Sequence, residues 1–313
     1  MTYSTELDVS ALMSIAAVER DCGLAKDTLR VWERRYGFPQ PLRDAHDERR
    51  YPADQVAKLR LLRRLIDAGY RPGKIVGHST EDLSALLRGL EADGSEPESP
   101  AAREVLARLA AHDAERLRDF LASLLTRMGL RAFAAEIAPQ LAYAVGAAWA
   151  RGELEIHQEH LFTEHFTTVL RGAINAALAA GAPRDRPRVL LSTLPQEPHA
   201  LGLLMAEAMF VLEGCRCISL GVQTPAPDIA TAARAHGADI LALSFSAMAN
   251  ATQAQAGLAE LRAATPAATE IWAGGACPGL RAQPGVVLVK GLDAIGPAVT
   301  AWRLRAGPGE APR

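Results

Sequence analysis

The stretch LPQEPHALG (194–202) sets His199 between an acidic residue, Glu197, and Gly202, in the spacing E-x-H-x-x-G. It follows the apolar run RVLLSTL, which reads as a buried strand, and precedes an apolar-rich segment from Ala200 that reads as a helix. His199 is therefore expected at the carboxyl end of a strand, where open α/β sheets hold their ligands. A core histidine, a catalytic base and a metal ligand are all compatible with that stretch alone. Further on come SFS (Ser244–Ser246) and a glycine pair, Gly274–Gly275, each again at the end of an apolar run. A second grouping, WARGELEIHQEH, holds Trp149 near one helix end and Glu159–His160 at the start of the next, with Gly152 between. Two helix ends meeting at a short loop can present an indole and an imidazole together. The other reading makes Trp149 core filler and His160 a residue at the solvent edge.

The elements that must position these groups divide the chain in three. Residues 187–305 alternate strands (RVLLSTL, CRCISLG, ADILALSFS, EIWAGG, VVLVKG) with helices such as DIATAARAHG and TQAQAGLAELRAA. Strict alternation implies a parallel sheet covered by helices on both faces, with His199, Ser244–Ser246 and Gly274–Gly275 at one edge. Residues 101–180 carry helical apolar repeats in VLARLAAHDAERLRDFLASLLTRMG, FAAEIAPQLAYAVGAAWARG and HQEHLFTEHFTTVLRGAINAALAA, enough for a bundle of about four helices. Before them, MSIAAVERDCGLAKDTLRVWERRYG reads as two short helices around a turn, the second ended by Gly37. A proline-broken connection follows, then a long helix, ADQVAKLRLLRRLIDAGYRPGKIV, with Val56, Leu59, Leu62, Leu65 and Ile66 inward. The segments DGSEPESP (93–100) and AGAPRDRP (180–187) read as breaks. The resulting boundaries are 1–80 for the first domain, a linker over 81–100, a helical bundle over 101–182 and an α/β domain over 186–306.

Composition agrees with several domains: 313 residues, nearly half hydrophobic, with few aromatics. No apolar run is long enough to span a bilayer, and the start MTYSTELDVS lacks a basic then apolar signal. Cys22, Cys215, Cys217 and Cys277 lack zinc or disulfide-framework spacing, so reduced thiols and a cytoplasmic location, with no membrane partner, are expected. Net charge is −2, yet Arg49, Arg50, Lys58, Arg60, Arg63, Arg64, Arg71 and Lys74 cluster against only Asp54 and Asp67. Such clustering suits a phosphate-facing surface, the alternative being a solvated helix face. Two helices around a turn are helix-turn-helix grammar, in which the second helix enters the major groove.

Three resemblances sharpen this. The run TLRVWERRYGFPQPLR…ERRYPADQVAKLRLLRRLIDAGYRPGKI resembles the winged-helix DNA-binding domain of MerR-type transcription regulators over about 70 residues. It implies that Arg30, Arg34, Arg35 and Tyr36 face double-stranded operator DNA, with Arg43, Arg49 and Tyr51 in or near the wing; for any one arginine the other reading is a surface ion pair. The C-terminal pattern resembles the cobalamin-binding Rossmann domain of methionine synthase and the mutases, D-x-H-x-x-G, then S-x-L or S-x-T, then GG. It implies that His199 is a cobalt ligand, with Glu197 as its orienting carboxylate. By the same resemblance Ser244 and Ser246 line a pocket for the nucleotide tail, with Gly202, Gly274 and Gly275 in the motif. Glu197 departs from the aspartate, and Ser246 from the usual leucine or threonine.

Trp149, nine intervening residues and Glu159–His160 resemble the W-x9-EH signature of CarH-like cobalamin photoreceptors, which also share the order of domains. This implies an upper face covered by Trp149, with Glu159 and His160 near a 5′-deoxyadenosyl group, which favours adenosylcobalamin over methylcobalamin; the alternative cofactors are methylcobalamin and hydroxocobalamin. Some light-sensing members carry a histidine directly after the tryptophan, where this chain has Ala150. The fold class expected is thus multidomain: an all-α winged helix-turn-helix, a four-helix bundle, and a Rossmann-like, doubly wound parallel sheet. The function implied is a light-responsive transcription regulator, a repressor and not an enzyme. It would bind DNA in the dark as a homo-oligomer (dimer or tetramer) and release it when light cleaves the cobalt–carbon bond. A light-independent cobalamin or redox sensor is the second reading, and a corrinoid methyl carrier the third.

Overall fold

The structure, a computed structural model, describes residues 12–67, 70–92, 99–181 and 186–306. They cluster in two compact units. The first comprises Met1–Glu98 and Gly146–Glu155, the second Ser99–Val145 and Ile156–Arg313.

In the first unit β1 (Met13–Ser14) leads into α1 (Ile15–Cys22) and α2 (Lys26–Tyr36). The Ser14 hydroxyl caps α1 by accepting the Ala17 N–H at 3.2 Å. Gly37 ends α2 with φ of 67°, a left-handed turn that glycine adopts without a Cβ penalty. β2 (Leu42–Arg43) and β3 (Arg49–Tyr51) form the wing, and β3 pairs antiparallel with both β1 and β2. The winged helix-turn-helix is therefore helical around a three-stranded ribbon. The expected long helix stops sooner: α3 spans Ala53–Asp67, and the proline of RPGK opens a separate turn, α4 (Pro72–Ile75). Val56, Leu59, Leu62 and Leu65 are buried as the period requires, and Ile66 packs partly buried against them.

The linker expected over 81–100 is corrected. Residues Thr80–Ala92 form α5, which buries Leu83 and Leu87 in the same core as Trp32 and Leu62. Of DGSEPESP, only Ser99 and Pro100 lie within the described residues; they open α6 (Pro100–Ala110), where Ser99 accepts the Ala102 N–H.

The second unit joins the bundle to the sheet. The first helical repeat divides at His112 into α6 and α7 (Ala114–Ala132), because Asp113 caps the new helix through the Arg116 N–H. Gly129, with φ of 77°, kinks α7 where the sequence repeat ended. A π-helical turn (Phe133–Ile137) leads into α8 (Ala138–Ala150), and α9 (Ile156–Ala180) completes the four helices. Phe133, Phe162 and Phe166 fill the bundle, with ring centroids 5.4 to 5.8 Å apart. The middle of the break 180–187 (residues 182–185) lies outside the described residues.

All five expected strands are present: β4 (Arg188–Ser192), β5 (Arg216–Gly221), β6 (Ile240–Phe245), β7 (Glu270–Gly275) and β8 (Val286–Val289). The sheet is fully parallel in the order β5-β4-β6-β7-β8. Its order reverses between β4 and β6, which makes a crevice at their carboxyl ends. The connecting helices are α10 (Leu201–Leu212), α11 (Ala226–His236) and α12 (Ala251–Ala264), and α13 (Ile295–Ala306) closes the chain. α9 lies on α10, tied by Arg171 Nη1 to Glu207 Oε2 at 2.6 Å. No described helix is long and apolar enough to cross a membrane.

Because Leu83 is fully buried, Leu83→Ala is expected to lower the stability of the first unit by about 2–5 kcal/mol in urea unfolding. A linker residue would show no change.

Candidate cofactor site and DNA-binding face

The crevice between β4 and β6 is built by their two following loops. After β4, the Glu197 N–H donates to Leu194 O, and the Thr193 hydroxyl donates to Glu197 O at 2.6 Å. Thr193 Oγ1 also accepts the Gln223 N–H, and Gln223 Nε2 donates to Pro195 O at 3.1 Å. Gln223 itself sits at φ 58°. The loop is thus fastened by its own Thr193 and, from the β5 side, by Gln223, neither of which any motif marked. Thr193, a hydroxyl inside a strand's carboxyl end, was the only available signal.

This holds Glu197 inward, 3 % exposed, and His199 outward, its side chain 50 % exposed. Glu197 Oε1 accepts the His199 backbone N–H at 3.0 Å and faces its Nδ1 at 2.5 Å. Glu197 Oε2 accepts the Ser246 N–H at 2.7 Å and the Ser246 hydroxyl at 2.9 Å. Burial alone would raise the carboxyl pKa; the hydrogen bond and charge of His199, with the two backbone N–H groups, outweigh it and hold the pKa below the usual value. The carboxylate is thus charged and accepts only, so the ring nitrogen facing it carries the hydrogen. No described group engages Nε2.

The serines and glycines gather at the same edge. Ser244 pairs with Gly274, and Phe245 with Gly275, in the β6–β7 register. A Cβ on Gly202 would stand 2.9 Å from Ser244 Oγ, and one on Gly274 would stand 3.1 Å from Val289 O. At Gly275, with φ of +112°, a Cβ would overlap the Phe245 carbonyl oxygen. Glu197, His199, Gly202, Ser244, Ser246, Gly274 and Gly275 are therefore one constellation. An outward imidazole of borderline softness, buttressed by a carboxylate, fits a cobalt ion. Cys277 donates to Ala249 O just beyond the glycines; burial raises its thiol pKa, and the charge of Glu197 adds to this.

The bundle signature is divided. Glu159 and His160 lie in the first turn of α9, where Glu159 Oε2 meets His160 Nδ1 at 2.7 Å and Thr163 donates to Oε1 at 2.8 Å. The His160 side chain is 69 % exposed, available to a ligand. Trp149, on the last turn of α8, clusters with the first unit instead. There the Arg60 guanidinium lies 5.2 Å from its ring centroid while bonding both oxygens of buried Asp21 at 2.8 Å. The indole N–H has no partner among the described residues. The side chain of Ala150 lies outside what the structure describes.

The DNA-facing set divides too. Arg34 and Arg35 are exposed on α2, Arg35 standing 5.3 Å from the ring centroid of half-buried Tyr36. Arg30 is exposed and paired with Asp27, and Arg43 of the wing with Asp47. Both are surface pairs, each contributing little to stability. Arg49 is committed more firmly: its guanidinium is half-buried and bonds Glu33 at 2.8 and 3.4 Å. Tyr51 is the clear correction. It is 0 % exposed in the core, its hydroxyl without a partner among the described residues, so the wing's last residue is a packing residue and not a phosphate contact. The basic run 49–74 is likewise no single surface. Arg60 turns to Asp21, Arg63 to the Gly23 carbonyl and Arg64 to the Ala147 carbonyl, and Lys58 covers Phe38 at 4.5 Å.

A winged helix-turn-helix followed, on the same chain, by a parallel sheet with this histidine crevice defines a class: DNA-binding regulators that carry a corrinoid-binding domain. Residues 13–79 match the MerR HTH family regulatory protein, and residues 187–295 the B12 binding domain. The chain is 34% identical over 265 residues to the HTH-type transcriptional repressor CarH of Myxococcus xanthus, covering 81% of this chain and 85% of that one. It is 30% identical over 235 residues to the HTH-type transcriptional repressor CarA of the same organism, covering 74% and 76%. A solved monomethylamine corrinoid protein of Methanosarcina barkeri aligns with TM-score 0.46 at 11% identity, over 64% of this chain and 97% of that one. The chain belongs to the CarH family of HTH-type transcriptional repressors, and is a cobalamin-dependent transcription regulator.

Tyr51→Phe is expected to leave operator affinity within about twofold and stability unchanged or slightly higher, because it removes an unpaired buried hydroxyl. A gel shift showing a larger loss would restore Tyr51 to the DNA interface.

Proposed function

We propose that this regulator represses by holding operator DNA in the dark with adenosylcobalamin bound, and releases it in light. The observation that carries the reading is the half-exposed, carboxylate-buttressed His199 at the sheet's switch point, on one chain with a recognition helix bearing exposed Arg34 and Arg35. His199 would hold the cofactor through Nε2, while Ser244, Ser246, Gly202, Gly274 and Gly275 receive its nucleotide tail. Trp149, Glu159 and His160 would meet its upper side. When bound, adenosylcobalamin supplies a cobalt–carbon bond that visible light breaks. The chain's own part is to couple that loss to DNA affinity. Trp149 rests on Arg60, which is anchored by Asp21 under the helix-turn-helix, so the residue expected at the cofactor already belongs to the DNA-binding unit.

In the dark, assembly of several chains would multiply modest single-domain affinities through effective concentration. Dissociation of such a homo-oligomer would then release DNA. A second reading, in which cofactor occupancy alone is the switch, is favoured by Ala150 standing where some light-sensing members place a histidine.

One gel-shift series separates them, using dark protein without cofactor, dark protein with adenosylcobalamin, and the latter after green light, each with its size-exclusion elution. The proposal expects tight binding and a larger particle only in the second sample. Equal binding in the second and third would discard light control and leave occupancy. Arg35→Ala should weaken dark binding about tenfold or more with cofactor uptake unaltered. Unchanged dark binding would show that α2 is not the reading helix.

A further inference from the structure

Among the described residues of the first unit two large apolar side chains are exposed, Val31 at 42% and Leu42 at 38%. Leu42 belongs to wing strand β2, and Val31 is the middle residue of α2 (Lys26–Tyr36). A single exposed valine is ordinary on a protein surface. This one is set apart by its neighbours. The exposed residues of α2 are Asp27, Arg30, Val31, Arg34 and Arg35, whereas Leu29 and Trp32 turn to the core. Residues three and four apart adjoin on a helix surface, so Val31 has Asp27 one turn before it and Arg34 and Arg35 one turn after it. Arg30 directly precedes it and pairs with Asp27 at 3.0 Å. An apolar group thus stands in the middle of the helix's cationic face.

The charge of that face suits a duplex. Three arginines against one aspartate favour the phosphate backbone, and arginine N–H groups reach phosphate or guanine. Valine has neither a hydrogen to donate nor a lone pair to offer on its side chain. It therefore gains nothing at a phosphate, nor at the polar edges of guanine, adenine or cytosine. In the major groove thymine alone presents an apolar group, its C5-methyl. An isopropyl group carried into the groove at the helix centre takes that methyl out of water and is itself dehydrated in the same contact. Branching at Cβ leaves valine one strongly preferred χ1 rotamer in a helix, so the group is held in place before DNA arrives.

We propose that Val31 is a specificity-determining residue of the operator contact, packing on the 5-methyl group of one thymine for each α2 that enters the groove. The arginines around it supply affinity, and the valine supplies sequence preference. The proposal rests on the function above only in taking α2 as the helix that enters DNA; neither light nor cofactor bears on it.

The test removes the two methyl-bearing partners separately and together. Sites are first selected from a random pool of duplexes by full-length protein that is dark without cofactor, dark with adenosylcobalamin, or illuminated after loading. In the state that binds tightest, each thymine of the selected site is replaced in turn by deoxyuridine, which lacks only the 5-methyl group. Affinity is measured for wild type, Val31→Ala and Arg35→Ala. Alanine is the better helix former, and at this exposed position it leaves α2 intact. Wild type should lose about fourfold at one thymine for each bound α2, the value of one buried methyl group. Val31→Ala should bind the unmodified site about fourfold or more weakly and lose less than about twofold further at that thymine, since both changes remove one contact. Arg35→Ala should weaken every duplex alike and keep the wild-type loss on deoxyuridine. A wild type insensitive to deoxyuridine at every thymine, or equal deoxyuridine losses in wild type and Val31→Ala, would overturn the assignment. Tightest binding by the cofactor-free protein would instead remove the dark-cofactor reading, and the thymine comparison in that state would still decide Val31. Selection of no site in any state would remove both.

Discussion

A single buried carboxylate joins the two strands between which the sheet reverses its order. Glu197 takes four contacts, two from the His199 loop and two from the end of β6, and a charge so placed is tolerable only when every lone pair has a donor. That demand orders the rest of the edge. Thr193 and Gln223 fasten the loop so that the carboxylate stays inward, and Gly275 lets the β7 backbone run against Phe245 without a side chain between. The product is an imidazole with one nitrogen committed to the protein and the other exposed. Hydrophobic burial in the sheet, through Leu190, Leu241 and Ile271, supplies the rigid floor on which this polar network keeps its geometry.

The first unit meets the opposite problem, with many cations and few places for them. Its interior takes one by pairing Arg60 with Asp21, and its surface neutralises others locally, Arg49 with Glu33 and Arg50 with Asp44. Backbone N–H groups and Arg50 pull the Asp44 pKa down to about 2, so Asp44 stays charged beside Arg50 at neutral pH. The arginines that remain exposed on α2 are Arg30, paired with Asp27, and Arg34 and Arg35. Charge counted along the sequence thus overstated the surface presented to phosphate.

The sequence displayed periodicity well and side-chain commitments poorly. The five strands, the turn before α2 and the stop at Gly37 were legible because apolar period and glycine placement are local signals. Helix α5 is masked in the sequence by the polar, proline-bearing run that follows it, although Leu83 and Leu87 repeat at helical spacing. The end of α3 is blurred because its apolar stripe runs on toward Pro72. Tyr51 lies one residue beyond a row of arginines, and nothing in the sequence distinguishes the residue of a wing that turns inward. The Glu197–Ser246 contact was illegible for a different reason. It joins positions far apart in sequence, and only the β4–β6 adjacency brings them together.

The central claim is that His199 supplies a nitrogen to cobalt. It is tested most directly by electron paramagnetic resonance of the cobalamin-loaded protein with cobalt reduced to the divalent state. A single axial ¹⁴N nitrogen splits each cobalt line into a triplet. The account predicts that this triplet becomes a doublet when the protein, and not the cofactor, is labelled with ¹⁵N-histidine. A triplet unchanged by labelling would mean that the cofactor keeps its own base, and would contradict the role assigned to His199.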